Sequence, residues 1–430
     1  LVGVDLRSLG RVRVRADRPQ LHRTLLGRGG MRRAYKFRLR PTAKQHVALS
    51  QCLGVHRELY NAALLERREA YERVVRRSPN YWSHSRPKGP VSYGRQSAQL
   101  SDIRAGRPDI SSWSFSSQQA TLRRLTKAFD AFFRRVKAGE EPGYPRFKPA
   151  HRFDSVEWPK DGDGCRWHPE ASRVYLQGIG HVKTTVHRAV EGRVKTISVK
   201  REGRRWFLVL SCDDVPRKPL EPTGRSVGID IGIASFATTS DGLHIANPRH
   251  GRAGAERLAR AQQVLARKRW GSNNRTAARD VVAARHRTVA SQRRDFHHKV
   301  ARDLVETYDV LCVENLSITN MVRSAKGTEE NPGTNVAAKC GLNRSITDAG
   351  WGQFRSILCG KAEEAGRTVM DVNPRHTSQT CAECGHVDPG NRVSQAIFRC
   401  RGCGHEAHAD INAARNILRA GLARPVAHAT

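Results

Sequence analysis

Two cysteine motifs in the last quarter of the chain have the spacing of a metal site. Each motif has two residues between its cysteines, and fifteen residues separate the motifs. The four cysteines are Cys381, Cys384, Cys400 and Cys403. Four thiolates at this spacing are typical of a zinc ribbon, in which a tetrahedral metal without an open position stabilises the fold and takes no part in catalysis. We therefore predict one structural Zn²⁺, with His386 and His405 outside its ligand shell.

Three acidic residues are candidates for a second, catalytic metal site. Asp230 lies within an apolar segment, Glu314 ends another apolar segment, and Asp410 opens a helical segment just after the cysteines. Converging carboxylates bind Mg²⁺ or Mn²⁺, and two such ions can activate a water molecule and stabilise the leaving oxygen of a phosphodiester. We predict that the three acids are catalytic and hold two such ions. Taken singly, Glu314 could be a solvent-facing acid at a strand end, and Asp410 could be a helix N-cap.

The segments that carry these acids alternate between strand and helix patterns. Short apolar runs predict strands, and Asp241-Gly242 predicts a hairpin turn between two of them. The predicted strands are 227–231, 235–239, 243–246, 310–314 and 368–372. The predicted helices are one or two very basic helices over 252–307, one helix with Trp351 and Phe354 on one face, and one over 410–418. This order of elements predicts an α/β domain.

The amino-terminal half combines both patterns. Residues 35–40 alternate like a strand, and the capping box that begins at Thr42 predicts a helix after it. Residues 78–117 are rich in Ser, Pro and Gly, and they predict an irregular loop. Helical spacing returns at Leu122. Between residues 172 and 212 the apolar positions alternate, which predicts a small antiparallel, barrel-like β unit that also includes the strand at 35–40.

The charge of the chain indicates a polyanionic partner. Its 76 Lys and Arg exceed its 40 Asp and Glu by 36. Such an excess destabilises a compact chain by self-repulsion unless anions neutralise it, and nucleic acid releases counterions when cations meet its phosphates. No apolar run approaches the roughly 20 residues that span a bilayer, which excludes an integral membrane protein. No secretion signal is visible, and this favours a metal over disulfides for the clustered cysteines.

The order of motifs along the chain resembles that of TnpB, the family of transposon-encoded RNA-guided nucleases related to type V CRISPR effectors. The motifs are GIDIG at 228–232, VENL at 313–316, NPRHTSQTC at 373–381 and DINAA at 410–414. Two amino-terminal segments are also similar to that family: YKFRLRPT at 35–42 and PGYPRFK at 142–148. The resemblance runs from about Met31 to about Leu422, and residues 1–30 have no counterpart in it.

This resemblance implies a fold class of α/β together with α and β parts. An RNase H-like (RuvC-like) nuclease domain with an inserted zinc ribbon follows a small β-barrel-like wedge domain that carries a helical insertion. The implied domains are a disordered basic leader at 1–30, the wedge domain at 31–50 and 150–220, a helical recognition lobe at 51–149, the nuclease domain at 221–377, the ribbon at 378–405, and the end of the nuclease domain with a tail at 406–430. The leader could instead lie upstream of a true start at Met31, or be an RNA-binding arm.

The resemblance also implies a function. We expect an RNA-guided, Mg²⁺-dependent DNA endonuclease encoded by a transposable element, with Asp230, Glu314 and Asp410 as its RuvC-like triad. A guide RNA transcribed from the element would pair with double-stranded target DNA, beside a short adjacent motif that the protein reads. We expect a monomer or weak dimer in the cytoplasm of a prokaryotic cell, associated with the nucleoid and not with a membrane.

Basic residues near these motifs are candidates for contacts with nucleic acid. Arg375 lies between the last predicted strand and the cysteines, and we expect it to touch the backbone of the cleaved strand; an ordinary surface arginine is an equal alternative. Further candidates lie in the basic helices, which we expect to follow the RNA–DNA duplex. They are Arg252, Arg257, Arg260, Arg267, Lys268 and Arg269.

Three other functions stay open at this point. A guided DNA-binding protein without useful cleavage could regulate transposition, although an intact set of acids argues against it. A transposase could join DNA ends directly with an RNase H-like triad, although the zinc ribbon immediately before the third acid disfavours this. A plain zinc-ribbon protein that binds nucleic acid would make the three acids incidental.

Overall fold

The structure is a computed structural model that describes residues 30–77 and 91–423. The predicted disorder of the leader therefore concerns residues that lie, apart from Gly30, outside the described part of the chain. The strands are β1 (Met31–Arg40), β2 (Ser155–Trp158), β3 (Cys165–His168), β4 (Arg173–Leu176), β5 (Gly180–Thr185), β6 (Arg193–Glu202), β7 (Arg205–Val215), β8 (Ser226–Ile231), β9 (Ser235–Thr239), β10 (His244–Ala246), β11 (Val310–Glu314), β12 (Thr368–Val372), β13 (Ile397–Arg399) and β14 (Glu406–His408).

The helices lie between and after these strands. They are α1 (Ala43–Arg77), α2 (Tyr93–Gly106), α3 (Pro108–Ser111), α4 (Phe115–Lys137), α5 (His250–Ala266), α6 (Asn273–Thr307), α7 (Ile318–Met321), α8 (Val336–Ala349), α9 (Trp351–Ala365) and α10 (Ala409–Leu422). Within the two described ranges, no helix has the length and apolar character needed to cross a bilayer.

The amino-terminal half is built on a seven-stranded antiparallel sheet. Its strand order is β2-β6-β7-β1-β5-β4-β3, so β1 lies in the middle although it comes first in the chain. Alternation of side chains buries Tyr35, Phe37 and Leu39 of β1 on one face. The predicted antiparallel unit with its early strand is confirmed. The strands β2 and β3 were not predicted; each has only four residues and lies before the segment in which the alternation was recognised.

Helices α1, α2 and α4 pack on the buried face of this sheet and share one hydrophobic core with it. The predicted capping box begins α1: the Thr42 amide donates to Oε1 of Gln45 (3.1 Å), and the Gln45 amide donates to Oγ1 of Thr42 (3.3 Å). The two bonds pair amides that the first helical turn would otherwise leave without a partner.

The predicted irregular loop over 78–117 is wrong where the structure describes it, because α2, α3 and the start of α4 lie within 91–117. Ser92 caps α2 by accepting an amide hydrogen bond. Gln96 and Leu100, one turn apart, are buried, and Nε2 of Gln96 donates to the carbonyl of Ala63 in α1 (2.9 Å). Packing against α1 thus outweighs the low helix propensity of the Ser and Gly residues here.

The carboxyl-terminal half is built on a five-stranded sheet of order β10-β9-β8-β11-β12. β8, β11 and β12 are parallel, and β9 and β10 are antiparallel to their neighbours. Val313 packs in a core with α6, α8 and α9, whereas Cys312 packs in a second core with α10. Since successive side chains of a strand point to opposite faces, helices cover both faces of this sheet, and the predicted α/β domain is confirmed.

The basic segment 252–307 forms a helical hairpin, α5 followed by the 35-residue α6. Asp348, at the end of α8, fixes this hairpin: its carboxylate accepts from the amides of Gly251 (2.7 Å) and Arg252 (3.1 Å) in the first turn of α5, and from Arg293 of α6 (2.9 Å). One partly buried acid therefore joins three helices.

Candidate active site and zinc site

Asp230 and Glu314 are neighbours because of the register of two parallel strands. Ile229 of β8 is opposite Val313 of β11, so the next residues, Asp230 and Glu314, also lie side by side at the carboxyl ends of these strands. Ile229 and Val313 face the core with α6 and α9. The two acids therefore face the other side of the sheet, where α10 lies.

Helix α10 brings the third acid to the same place. It packs closely on β8 because Gly228 has no side chain: a Cβ there would lie 2.0 Å from the carbonyl oxygen of Ala414. Gly421 permits a similar approach to Cys312 of β11. Asp410 is in the first turn of α10, so this packing brings its carboxylate near enough to Asp230 to raise the pKa of that acid. The ligand oxygens of the three acids do not all lie within 4.8 Å of one another.

The three carboxylates affect one another electrostatically. Burial first, and then the nearby carboxylates of Glu314 and Asp410, together raise the pKa of Asp230 to about 7. Arg392 acts in the opposite sense. Burial also raises the pKa of Glu314. Buried carboxylates that repel one another need positive charge to ionise together, and a divalent cation supplies it.

Two residues that the sequence analysis missed contact the acids. Oγ1 of Thr377 donates to Oε1 of Glu314 (2.5 Å), and Nη2 of Arg392 donates to Oδ1 of Asp410 (3.0 Å). Both lie in irregular segments without a periodic pattern. The only signal was their position, since Thr377 belongs to the 373–381 motif and Arg392 lies between the two cysteine motifs.

The alternative interpretations of the single acids are wrong. The N-cap of α10 is His408, whose Nδ1 accepts from the amide of Asp410 (3.3 Å), so the Asp410 side chain is not the cap. Glu314 is only 9% exposed, so it does not face solvent.

The four predicted cysteines come together. Their Sγ atoms all lie within 4.8 Å of one another, and they are the one such group of possible metal ligands found across residues 30–77 and 91–423. Cys381–Cys403 and Cys384–Cys400 are 3.8 and 3.6 Å apart. His386 and His405, which we expect outside the ligand shell, are not in the group.

Both cysteine motifs fold into the same turn. The amide of Gly385 donates to the carbonyl of Cys381 (3.0 Å), and the amide of Gly404 donates to that of Cys400 (2.9 Å). These glycines have φ of +77° and +74°, which explains why glycine follows each motif. A hydrogen bond from the backbone amide of His405 lowers the pKa of Cys403, but the thiol of Cys384 and, to a smaller extent, desolvation and the other two thiols outweigh it and raise that pKa to about 12. Four thiols this close therefore fit a cation that neutralises their thiolates.

Two asparagines of α10 join the ribbon to the acids. Asn412 accepts from the amide of Ala382 (2.8 Å) and donates to the carbonyl of Thr380 (2.8 Å). Asn416, one turn later, donates to the carbonyls of Thr377 (3.0 Å) and Thr380 (2.6 Å). Both asparagines are buried, so the helix that carries Asp410 and the ribbon form one hydrogen-bonded unit.

The predicted nucleic-acid contacts do not gather at the acids. Arg375 is exposed on the loop that contains Thr377, and it is the one of these candidates near the site. Arg252, Arg257 and Arg260 lie on α5, whereas Arg267, Lys268 and Arg269 follow its end; all six side chains are exposed. Among the described residues, Arg252, Arg257 and Lys268 have no acidic partner, whereas Arg260 pairs with Glu256.

Three family models match segments of the chain. One described as "Probable transposase" matches residues 199–325, which contain Asp230 and Glu314, and one described as "Cas12f1-like, TNB domain" matches residues 351–417, which contain Asp410 and the four cysteines. A third, described as "Helix-turn-helix domain", matches residues 31–75, which here form β1 and most of the single helix α1.

Two relatives align with nearly the whole chain. "Putative RNA-guided DNA endonuclease InsQ" of Escherichia coli K12 is 34% identical over 392 residues, which are 91% of this chain and 92% of that protein. "Putative RNA-guided DNA endonuclease" of Streptomyces pristinaespiralis is 32% identical over 398 residues, which are 91% of this chain and 90% of that protein.

The fold is similar to that of a chain in the cryo-EM structure of a Cas12f1-sgRNA-target DNA complex. The TM-score is 0.50 at 16% sequence identity, over 87% of this chain and 82% of that chain. Fold and comparisons thus define the class as proteins built like the Cas12f effectors. Because the two relatives align with about nine tenths of the chain at more than 30% sequence identity, the chain belongs to the TnpB family.

Proposed function

We propose that this protein is an RNA-guided, Mg²⁺-dependent DNA endonuclease of a transposable element, with Asp230, Glu314 and Asp410 as its catalytic carboxylates. The observation that carries this proposal is the convergence of the three acids from β8, β11 and α10 in a largely buried, mutually repelling group. The activity named for the two relatives supports it. The antiparallel β9 beside parallel β8, β11 and β12 supports an RNase H-like nuclease domain.

The donor set fits Mg²⁺ or Mn²⁺, because carboxylate oxygens are the ligands that these hard cations prefer. Asp230, Glu314 and Asp410 would hold two such ions. When bound, the ions lower the pKa of the attacking water molecule and stabilise the leaving oxygen of the phosphodiester.

The surrounding residues prepare the acids for this task. Thr377 fixes one oxygen of Glu314, so the side chain holds a single orientation. Arg392 neutralises part of the charge of Asp410. Asn412 and Asn416 hold α10 against the segment that carries Thr377. The zinc ribbon, with Cys381, Cys384, Cys400 and Cys403 as ligands of one Zn²⁺, would stabilise this unit and take no part in the reaction.

Charge supports nucleic acid as the partner, with a guide RNA and a double-stranded DNA target. The seven-stranded sheet with α1–α4 would be the wedge domain and its helical recognition lobe, with the boundaries given above. Pairing with the guide would read the target sequence, and protein contacts would read a short motif beside it. The exposed cations of α5 and Arg375 are the side chains we propose for contacts with the phosphate backbone.

The test is cleavage of a matched DNA duplex by the purified protein with its co-purified RNA, in Mg²⁺. We expect Asp230→Ala to abolish cleavage and to keep RNA binding. Asp303→Ala is the matched control, because Asp303 is an exposed acid on α6 away from the site, and we expect it to cleave like the wild type. Cleavage by Asp230→Ala at the wild-type rate would refute the assignment of the site.

Other products distinguish the remaining functions. Tight binding of a matched target without cleavage in any divalent metal would identify a guided regulator. Joined DNA ends formed without RNA would identify a transposase.

A further inference from the structure

The tip of the α5–α6 hairpin carries an aromatic side chain in open solvent. Trp270 is 84% exposed, the highest value among the exposed large hydrophobic residues of the described chain. The turn that presents it is well defined: Gly271 has φ of +80°, and Ser272 caps α6 by accepting from the amide of Arg275 (3.1 Å). The exposure of Trp270 is therefore a property of an ordered turn.

One face of the Trp270 ring is already covered by a cation. The guanidinium of Arg275 lies 4.7 Å from the ring centroid. Its Nη1 donates to the carbonyls of Leu265 (3.0 Å) and Lys268 (2.9 Å) at the end of α5, which fixes the guanidinium in place. Arg275 and Trp270 thus form two layers of a stack, and the exposure of the ring leaves its other face open for a third layer.

The charge around the tip indicates which kind of partner can stack on the open face of Trp270. Residues 257–279 contain seven Lys or Arg and no Asp or Glu. Arg267, Lys268 and Arg269, just before the tryptophan, are exposed and have no acidic partner among the described residues. A second copy of this chain would bring the same cations to the contact and repel, whereas an anionic chain of bases would be attracted.

The tip of the hairpin is far from the part of α6 that packs in the nuclease half. Residue 273, the first of α6, is 24 residues from His297, where α6 enters the core of the nuclease half, and this is about 36 Å along a helix. On the way, Asp280 of α6 pairs with Arg204 at the β6–β7 turn (2.6 Å). The tip therefore lies beyond this contact with the β6–β7 turn and far from the part of α6 that packs in the nuclease core.

We infer that Trp270 is a stacking site for an unpaired base of the RNA that the protein carries, an inference that rests on the proposed function. An aromatic ring among cations is the general means by which proteins bind single-stranded bases, and unpaired bases on aromatic side chains are the usual targets of RNA recognition. Bases inside a DNA duplex are stacked on each other and do not offer a free face.

The experiment measures the affinity of the full-length protein for its co-purified RNA at several salt concentrations. We expect Trp270→Ala to weaken binding between about 5-fold and about 150-fold, the loss typical of one stacked base. Trp270→Phe keeps an aromatic ring and should lose much less. Val264→Ala, which removes another exposed apolar side chain of α5, should bind like the wild type.

Salt dependence separates stacking from charge. Trp270→Ala removes no charge, so we expect the slope of log K against log salt to stay unchanged, whereas Lys268→Ala should make it shallower by about 0.7–0.9. Chemical probing of the bound RNA should show one base that becomes reactive in Trp270→Ala alone. Equal RNA affinity of Trp270→Ala and wild type, while the wild type still cleaves, would overturn this inference and leave the proposed function intact.

Three further outcomes also overturn it. Loss of affinity for single-stranded DNA alone would assign Trp270 to the displaced DNA strand. Loss of self-association alone would assign it to a contact between copies. A wild type that binds no RNA would overturn both this inference and the proposed function.

Discussion

At the scale of residues, each acid of the proposed site depends on a different neighbour. Asp230 is surrounded by the other two carboxylates, Glu314 accepts from Thr377, and Asp410 pairs with Arg392. The acids themselves could be predicted. Asp230 and Glu314 are carboxylates on apolar strands, which is unusual, and Asp410 directly follows the second cysteine motif. Thr377 and Arg392 could not, since each comes from an irregular segment whose path only the folded structure defines.

Thr377 offers the most direct test of this dependence. Thr377→Val keeps the shape of the side chain but removes the hydroxyl that donates to Glu314, so Glu314 loses its fixed orientation. We expect cleavage to fall by about 10–100-fold, as for other supports of metal ligands. Single-turnover cleavage at saturating target, together with RNA affinity, measures the effect.

Thr377→Ser is the matched control, because it keeps the hydroxyl. It should cleave at close to the wild-type rate. If valine and serine behave alike at this position, the hydrogen bond to Glu314 has no role in catalysis.

At the scale of elements, the patterns of period two and of helical spacing predicted most strands and helices near the acids. β9 and β12 have the predicted bounds, and the capping box at Thr42 begins α1 as expected. Helix α2 could not be predicted, because its stability comes from tertiary contacts: Gln96 donates to Ala63 of α1, and Leu100 is buried in the core shared with the sheet. The close packing of α10 on β8 could not be predicted either, since the sequence does not show that Gly228 lies against the backbone of Ala414.

Gly228→Ala should therefore displace the whole helix α10 and not only a neighbouring side chain. The added methyl would lie against the backbone of α10, which has no flexible end to move away. We expect a loss of about 1–3 kcal/mol in the free energy of unfolding, typical of overpacking, together with reduced cleavage as Asp410 is displaced. Urea denaturation and cleavage assays measure the two effects.

Gly360→Ala provides the comparison. Gly360 lies in α9, and a Cβ there would meet nothing within 4 Å. Because alanine favours a helix over glycine by about 1 kcal/mol, we expect this variant to be as stable as the wild type or more so. Equal losses in both variants would show that the contact with α10 is not the cause.

Asp348 gives the helical hairpin a pH-dependent attachment. Burial alone would raise the pKa of Asp348, but the bonds from Arg293 and from the amides of Gly251 and Arg252 outweigh it and hold that pKa below its ordinary value. The ionised form therefore stabilises the folded state above the unfolded pKa of about 4, and this contribution is lost as the pH falls through the folded pKa.

Asp348→Asn should accordingly destabilise the protein by about 1–2 kcal/mol at pH 7. The difference from wild type should shrink steadily below about pH 4. Urea denaturation at a series of pH values measures it, with the exposed Asp303→Asn as control. A difference that is independent of pH would mean that Asp348 acts through packing and not through its charge.

At the scale of the whole molecule, the chain joins two sheets, a basic hairpin and a ribbon around one group of carboxylates. Composition could predict the polyanionic partner, because an excess of 36 positive charges is independent of the fold. The cysteine spacing could predict that the four clustered cysteines come together. The link between the cysteine cluster and the acids through Asn412 and Asn416 could not be predicted, because the sequence does not show which backbone groups a buried asparagine will bond.

This link predicts that metal in the ribbon controls cleavage at a distance. Cys384→Ser removes an exposed ligand with little effect on packing. We expect the variant to lose its zinc and most of its cleavage, because the segment of Thr377 and Asp410 loses its support, while RNA affinity changes by less than about threefold. Metal analysis, cleavage and RNA binding of the purified variant measure these effects.

Cys340→Ser is the control, because Cys340 is a partly buried cysteine outside the cluster. It should keep its zinc and its cleavage. Full cleavage by a zinc-free Cys384→Ser protein would show that the ribbon does not support the site.

The position of Asp410 in the last helix has a consequence for synthesis. A ribosome adds the final carboxylate only after both sheets and the ribbon have been translated, and the last turns of α10 must still leave the exit tunnel before that helix can pack beside Gly228. A nascent chain that does not yet contain α10 therefore lacks the third proposed carboxylate, so we expect it to bind RNA but not to cleave DNA.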